Sequence, residues 1–423
     1  FCLLTLTGTG APQSAIDFAF FLTRTEHLTE SDRHFTLTPD QLYAINPNTG
    51  TCPTFRSKRD AELTKKLYDA APVLINEAER ENPWGVSFLR MFDMSNDSNL
   101  FRTRENLEAE GFALQGNQFV NGKEMYLPLY EGRMIHHFDH RKASVGVQKE
   151  TTFRSGVTIE TKETEHLDTT FSPLPRFWIK KCLIEEKTPN KYEKNWFFGF
   201  KDVTSSTNER TFICSLMPKT AIGNKVPLLL TEQPATLISG LIGNQSSFVF
   251  DYAVRQKVGG VSLNFYIVKQ LPLLSPDRYT PALLRYIVPR VLELTYTAWD
   301  LAAFADDVWS ESDSDLRNAI ESQWQANADA TGGGHRGKLP PEWTDHSNQT
   351  EVSFPHEPFI WDKERRVHLR AELDGLYGRL YGLEREELSY ILNCFPIVKR
   401  NEVSQYGSYR TQRLAVEAYD SFT

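Results

Sequence analysis

The chain has 423 residues, 40% of them apolar and 24% charged, with a formal net charge of −8. This is an ordinary balance for a soluble globular protein and enough chain for two or three domains. Five cysteines stand far apart, with no CxxC or ligand-like spacing, which indicates a reducing compartment and excludes structural zinc; no apolar run approaches the roughly 20 residues of a membrane span.

The opening Phe-Cys-Leu-Leu-Thr-Leu is too short for a signal peptide and has no basic leader. With no initiator Met, the chain is expected to begin inside a longer protein. Phe1 to Leu6 reads as a buried strand, Gly8-Thr9-Gly10 as a turn and Ala15 to Thr23 as a second strand. Thr36 to Leu42 is a short capped helix. Ile45 to Ser57 is a loop rich in turn residues, and Ser57 caps the helix that follows. Leu63, Leu67 and Ala70 line one side of that helix. Leu100 to Glu110 is helical, and Gly111 to Gly122 is loop and hairpin. Val147 to Thr170 is a polar hairpin or loop. Strands follow at Pro175–Ile184, Trp196–Val203, within Thr207–Pro218, and at Val226–Leu230.

From Pro234 to Lys257 the spacing of Leu237, Leu241, Phe248 and Tyr252 predicts one helix, closed by Arg255 and Lys257 and stopped by Gly259-Gly260. A strand is expected over Leu263 to Val268, broken before Pro272. Thr280 caps a further helix with Pro281 at its first position, and Pro289 breaks or kinks it. Trp309 to Val352 is hydrophilic and expected to be a flexible insertion. Asp362–Leu380, Arg385–Cys394 and Ser408–Phe422 are three closing helices.

Charge is unevenly placed. Asp300 to Thr350 holds ten acids against Arg317, Arg336 and Lys338, a local −7, whereas Arg176 to Lys225 holds ten Lys/Arg against five Asp/Glu, a local +5. Binding to phosphates follows the local patch rather than the total.

Three strings, Asn46-Pro-Asn-Thr-Gly-Thr-Cys-Pro-Thr-Phe-Arg-Ser-Lys-Arg-Asp60, Leu127-Pro-Leu-Tyr-Glu-Gly-Arg-Met-Ile-His-His-Phe-Asp-His-Arg-Lys142 and Val268-Lys-Gln-Leu-Pro-Leu-Leu-Ser-Pro276, resemble the C-terminal half of combined (type IIG) restriction–modification enzymes and related N6-adenine DNA methyltransferases. The resemblance covers nearly the whole chain except 150–200 and 305–355. It implies an α/β fold: a methyltransferase-sheet remnant and connector (1–135), a mixed α/β target-recognition domain (136–280), and a helical C-terminal region (281–423) with an acidic insertion (305–355). The first two strands either close the methyltransferase sheet or are simply a strand pair. The implied function is DNA-sequence recognition in a bacterial, cytoplasmic restriction–modification or phage-defence system. The partners would be double-stranded DNA, an upstream methyltransferase domain, and helicase or nuclease subunits.

Phosphate contacts are expected from Arg255, Lys257, Lys269, Arg210, Arg141 and Lys142, with Arg133 and His140 beside them. Arg56 and Arg59 are either phosphate contacts or solvated charges at a helix start. Asn208 and Gln270 are candidates for reading base edges, because an amide can pair bidentately with adenine. His136-His137-x-Asp139-His140 has ligand residue types, but neighbouring side chains on a strand point to opposite faces, so no metal is assigned. That loop either touches phosphates or is a packed hinge between domains. A second reading makes the chain a protein–protein scaffold of a defence complex, its acidic segment binding a basic partner.

No catalytic residue is assigned. Adenine methylation needs a glycine-rich cofactor turn and an Asn-Pro-Pro-Tyr-like loop whose polar atoms hold the adenine amino group while the aromatic stacks on the base. Asn46-Pro47-Asn48 and Asn82-Pro83-Trp84 both lack the second proline and are expected to be turns. Glu160-Thr-Lys162 and Glu185-Glu-Lys187 fit a nuclease string that chance supplies freely. S-adenosylmethionine therefore belongs to the parent protein, and this chain alone is expected neither to bind it nor to methylate DNA. Calorimetric titration tests this, and micromolar cofactor binding by the chain would refute it.

Overall fold

The computed structural model describes residues 3–147, 156–333, 340–343 and 353–422. It is a mixed α/β structure with several small sheets and a helical C-terminal region. Phe1 and Cys2 of the expected first strand lie outside the described residues. Leu3, Leu4 and Leu6 are exposed and belong to no strand. The chain first pairs at β1 (Ile16–Ala19) with β2 (His34–Leu37), antiparallel. Thr38 then caps α1 (Pro39–Ile45) through a reciprocal box with Gln41, and Ser57 caps α2 (Lys58–Ala70) by accepting from Asp60 N.

The next elements are β3 (Ser87–Leu89), α3 (Arg104–Ala109), the hairpin β4 (Ala113–Gln115) and β5 (Gln118–Asn121), and β6 (Glu124–Tyr130). β7 (Ala143–Val147) pairs with β8 (Gly156–Glu160), while 148–155 of the expected hairpin lies outside the described residues. After α4 (Glu163–His166), the stretch expected as one strand divides into β9 (Trp178–Lys180) and α5 (Lys181–Lys187). β10 (Trp196–Phe200), β11 (Cys214–Pro218), β12 (Ala221–Ile222) and β13 (Leu228–Leu230) complete two sheets. One has the order β11-β10-β13-β3. The other has β12-β6-β5-β4, with β9 also on β6.

β10 is buried at every position, and its period of two divides two cores. Trp196, Phe198 and Phe200 face the large helical core, and Phe197 faces the smaller one with Met217 and Leu228. The large core runs from Leu63 to Tyr419. The expected boundaries at 135 and 280 therefore pass through shared sheets and a shared core: β3 pairs with β13, and β6 with β12.

The helix expected from Pro234 to Lys257 is two helices, α6 (Ala235–Ser246) and α7 (Phe248–Lys257). Ser247 is extended between them (φ −70°, ψ 153°) and caps α7 by accepting from Phe250 N at 3.2 Å. A serine that can cap competes with helix continuation, which the apolar spacing does not reveal. α6 is buried all round. A Cβ on Gly240 would stand 2.6 Å from the Tyr279 ring, and one on Gly243 2.9 Å from the Tyr377 hydroxyl.

The strand expected over Leu263–Val268 is instead one helical turn, α8 (Phe265–Val268). Ile267 and Val268 donate to Asn264 O, while extended pairing is limited to Leu263 N on Asp202 O and the Ser262–Val203 bridge before the turn. α9 (Pro281–Thr295) runs through Pro289.

Trp309–Val352 also differs from expectation. Its described part contains the end of α10 (Ala302–Glu311) and all of α11 (Ser314–Ala330); 334–339 and 344–352 lie outside the described residues. Leu316, Ile320, Trp324 and Ala328 recur every four residues and are buried. The acids are internal acceptors. Asp306 takes Phe354 N, Asp307 takes Trp196 Nε1, Glu311 takes Thr236 N and Asp313 caps α11. The chain closes with α12 (Lys363–Leu380), α13 (Arg385–Asn393), the unforeseen α14 (Pro396–Tyr406) and α15 (Arg410–Ser421). No described helix is long and apolar enough to cross a membrane.

Trp324 stacks on His356 at 4.2 Å and donates to Glu357 O at 3.0 Å. Trp324→Ala is expected to cost about 3–5 kcal/mol in chemical denaturation, as for a buried tryptophan. A loss below about 1 kcal/mol would return this segment to a loosely attached loop.

Candidate functional site

Residues 136–139 form a tight turn, in which His136 N donates to Asp139 O at 2.7 Å and Asp139 N to His136 O at 3.0 Å. Phe138 sits at φ +57°, a left-handed conformation costing about 1–3 kcal/mol in a non-glycine residue, so its surroundings must impose it. Arg366 does so from α12. One terminal nitrogen donates to Phe138 O at 3.1 Å and the other to Leu294 O at 2.8 Å, while the guanidinium lies 3.5 Å over the Trp361 ring. Burial raises the Asp139 carboxyl, but the hydrogen bond with His166, its field and those of Arg366 and Arg141 outweigh this and hold it at about 2.

One side of this turn opens on a cleft of about 110 Å³. Its walls come from the turn, the α6–α7 junction, α12 and the Glu209–Arg210 loop. Arg210 Nε pairs with Asp251 at 2.6 Å, its NH2 donates to Ser246 O and Ser247 O, and its guanidinium covers Phe248 at 4.0 Å. His137 is buried, its Nδ1 lies 4.0 Å from Cys214 Sγ, and its Nε2 has no hydrogen-bond partner among the described residues. Burial, then the Arg210 charge, holds His137 well below the usual histidine range; burial, then Lys201, holds His136 at about 3. Both imidazoles are neutral near pH 7. Burial pushes the Cys214 thiol up to about 12, so it is no nucleophile.

Asp374 and Arg370 complete the cleft from successive turns of α12. Asp374 Oδ1 accepts from Phe248 N at 2.8 Å. Burial raises this carboxyl to about 6, against the opposing pull of Arg210 and the Phe248 N–H. Arg370 Nε donates to Arg366 O at 3.2 Å, and its outer nitrogens have no acceptor among the described residues.

The sequence-derived binding residues do not share one face. Arg141 is wholly buried, one outer nitrogen donating to Asp168 O and Phe171 O and the other to His166 O and Thr297. His140 pairs with Asp300 at 2.8 Å. Arg255, taken from sequence as the end of a phosphate-facing helix, lies flat over Phe395 at 3.9 Å. Its donors meet Cys394 O, Asn208 O and Glu209 O. Lys257 donates to Ile45 O, Asn46 Oδ1 and Gln270 O, and burial lowers its pKa far below the usual lysine range. Gln270 is buried, accepting from Asn48 N and Thr49 Oγ1 and donating to Tyr266 O. With Arg210, these groups are turned inward, because buried backbone carbonyls need donors and these chains supply them.

Lys142, Lys269 and Arg133 are partly committed, to Glu160 at 3.1 Å, Glu77 at 2.6 Å, and Gly156 O at 2.5 Å. Asn208 is exposed. Arg56 and Arg59 are exposed and stacked over Phe21 (5.2 Å) and Tyr390 (4.1 Å), with no carboxylate partner among the described residues. Asn82 and Trp84 build a turn: Asn82 binds Val86 at both N and O, and buried Trp84 donates to Leu274 O at 3.0 Å.

Arg370 and Asp374 did not stand out in the sequence, whereas His137 was part of the histidine cluster noted there. The available signal was Arg366, Arg370 and Asp374 recurring every four residues on a helix whose Leu373, Leu376 and Tyr377 are core. No protein-family model, curated protein or solved structure matches this chain.

Asp374 binds its proton more tightly folded (about 6) than at its ordinary value of 3.8. The fold is therefore penalised above pH 6, and the penalty fades as pH falls towards 4. Asp374→Asn keeps an acceptor for Phe248 N and removes the charge. It is expected to stabilise the protein by about 1–3 kcal/mol at pH near 8 and by little near pH 4, read by denaturation at both values. A larger gain at the acid end would contradict the assignment.

Proposed function

We propose that this chain is the DNA-recognition part of an adenine-specific (N6) DNA methyltransferase, acting in a bacterial restriction–modification or phage-defence system. The observation that carries DNA contact is the pair Arg56 and Arg59. Each guanidinium lies over an aromatic ring, which fixes its plane and leaves its donor edge free. Arg59 stands in the first turn of α2, Arg56 just before its cap, and neither makes an ion pair among the described residues, although Asp32, Glu62 and Glu387 share a depression with Arg59. A planar donor fork held rigid at low entropy cost suits a phosphate. Support for the methyltransferase context is the resemblance of the three strings around Asn46, Leu127 and Val268; on this reading β1 and β2 belong to the edge of a methyltransferase-like sheet. S-adenosylmethionine and the methyl-transfer residues would be supplied by the parent protein.

Phosphate contacts fix register and carry no sequence information, so losing them weakens binding to all duplexes alike. The test measures duplex affinity of the chain at several salt concentrations. Arg56→Ala combined with Arg59→Ala is expected to lower the log–log salt slope by about 1.8, roughly 0.9 for each lost contact. An unchanged slope with unchanged affinity would make both arginines ordinary solvated charges and remove the support for this reading.

A further inference from the structure

The cleft beside the histidine turn combines features that the packing of the fold does not require. Arg370 and Asp374 lie four residues apart on α12, so their heads project from one face of the helix. They do not form an ion pair with each other within 4 Å, although that spacing allows one. Asp374 Oδ1 is held by Phe248 N, which orients the carboxyl plane and leaves Oδ2 without a partner among the described residues. Arg370 is anchored through Nε, which leaves its terminal fork open. His137 adds a buried Nε2 without a partner. The remaining walls include Phe138, Phe248 and Val367. The site thus offers an exposed donor fork at Arg370 and a buried acceptor at Asp374, one helical turn apart, beside apolar walls.

Glu209 and Glu402 also line the cleft, and Glu402 is occupied by Thr411 through both its oxygens. With Asp374 these carboxylates offset Arg210 and Arg370, so the cleft is not a simple anion site. Its complement is a planar, uncharged edge that accepts at one end and donates at the other. The Watson–Crick edge of guanine has that pattern: O6 accepts, and N1–H and the 2-amino group donate. The volume of about 110 Å³ is below the ~150 Å³ cavity that encloses benzene, so it takes the edge of a base while the sugar stays outside.

We infer that this cleft binds the edge of one unpaired guanine, with Arg370 on O6, Asp374 Oδ2 on the N1–H and 2-amino donors, and His137 Nε2 closing the inner wall. The inference deepens the DNA-recognition reading, because an unpaired guanine of bound DNA would present this edge. The chemistry is shared with a free guanine nucleoside or nucleotide, and the experiment separates the sources.

The intact chain is titrated with guanosine, adenosine, cytidine and xanthosine, with guanosine monophosphate, with inorganic phosphate, and with single-stranded and duplex oligonucleotides that contain or lack guanine. The expected result is binding of guanosine in preference to adenosine and cytidine, and of guanine-containing single strands over those without. Arg370→Gln is expected to lower guanosine affinity by about tenfold, as for loss of a charge-assisted hydrogen bond to O6. Asp374→Asn keeps Oδ1 on Phe248 N and turns an amide donor into the cleft. It is expected to switch the preference from guanosine to xanthosine, which carries a carbonyl in place of the 2-amino group. A loss of structure cannot produce that inversion.

Equal binding of all nucleosides, binding of phosphate and guanosine monophosphate but not guanosine, or an Asp374→Asn variant without the switch would each overturn the inference. If the Arg56 and Arg59 pair sets a salt-dependent duplex affinity while no nucleoside is discriminated, the cleft inference fails and the DNA reading stands. Guanosine selectivity without any affinity for oligonucleotides leaves the cleft as a free-nucleoside site and overturns the DNA reading.

Discussion

Two buried guanidiniums hold the distant parts of this chain together. Arg141 donates to carbonyls of residues 166, 168, 171 and 297, and Arg366 to those of 138 and 294. Four separate segments thus meet where backbone carbonyls would otherwise be buried without donors. A guanidinium suits this task because its five N–H groups lie in one plane, so one residue can satisfy several acceptors. Asp139 lies between the two cations and is bound to His166, which offsets part of the charge brought into the interior. Removing either arginine would leave several unpaired carbonyls together, a cost of roughly 1–3 kcal/mol for each group. The histidine turn, its left-handed Phe138 and the cleft beside it all depend on this arrangement.

Much of the fold was legible because local signals act locally. Thr38, Ser57 and Thr280 cap the helices they precede, and the alternation in Trp196–Phe200 gives a strand with two buried faces. The failures have physical causes. Leu263–Val268 carries strand-forming side chains, but pairing stops at isolated bridges on either side of it, Ser262 with Val203 and Pro272 with Val73, and the residues between close a helical turn on Asn264 O. Trp309–Val352 reads as hydrophilic because its acids look free. In the folded chain Glu311 accepts from Thr236, and Asp306 and Asp307 just before the segment accept from Phe354 and Trp196, residues far away in sequence.

The same blindness governed the candidate binding residues. A basic residue at a helix end is the same letter whether it meets phosphate or a buried carbonyl. Arg255 and Lys257 close α7 as the dipole favours, yet their donors are taken by Cys394, Asn208, Ile45 and Gln270. Arg56 and Arg59 lie over Phe21 and Tyr390 and make no ion pair among the described residues, although Asp32, Glu62 and Glu387 line the same depression as Arg59. Asp374 is the opposite case. Its carboxyl is buried without an ion pair among the described residues, and the fields of Arg210 and Arg370 do not make up for the burial, which is the kind of local destabilisation that functional sites tolerate and cores do not.

The helix α6 is buried all round, and its wrapping arrives late. Tyr279 and Tyr377 close over Gly240 and Gly243, and Tyr377 belongs to α12, far along the chain from the helix it covers. Until residues 369–381 are available, a glycine-rich apolar segment with buried Asn244 and Gln245 has no proper neighbours. Residues 247–362 must be made before α12 follows, and over that interval the nascent chain carries a sticky segment without its full cover. Versions cut short before α12 would expose that segment permanently and would be found in aggregates or bound to chaperones.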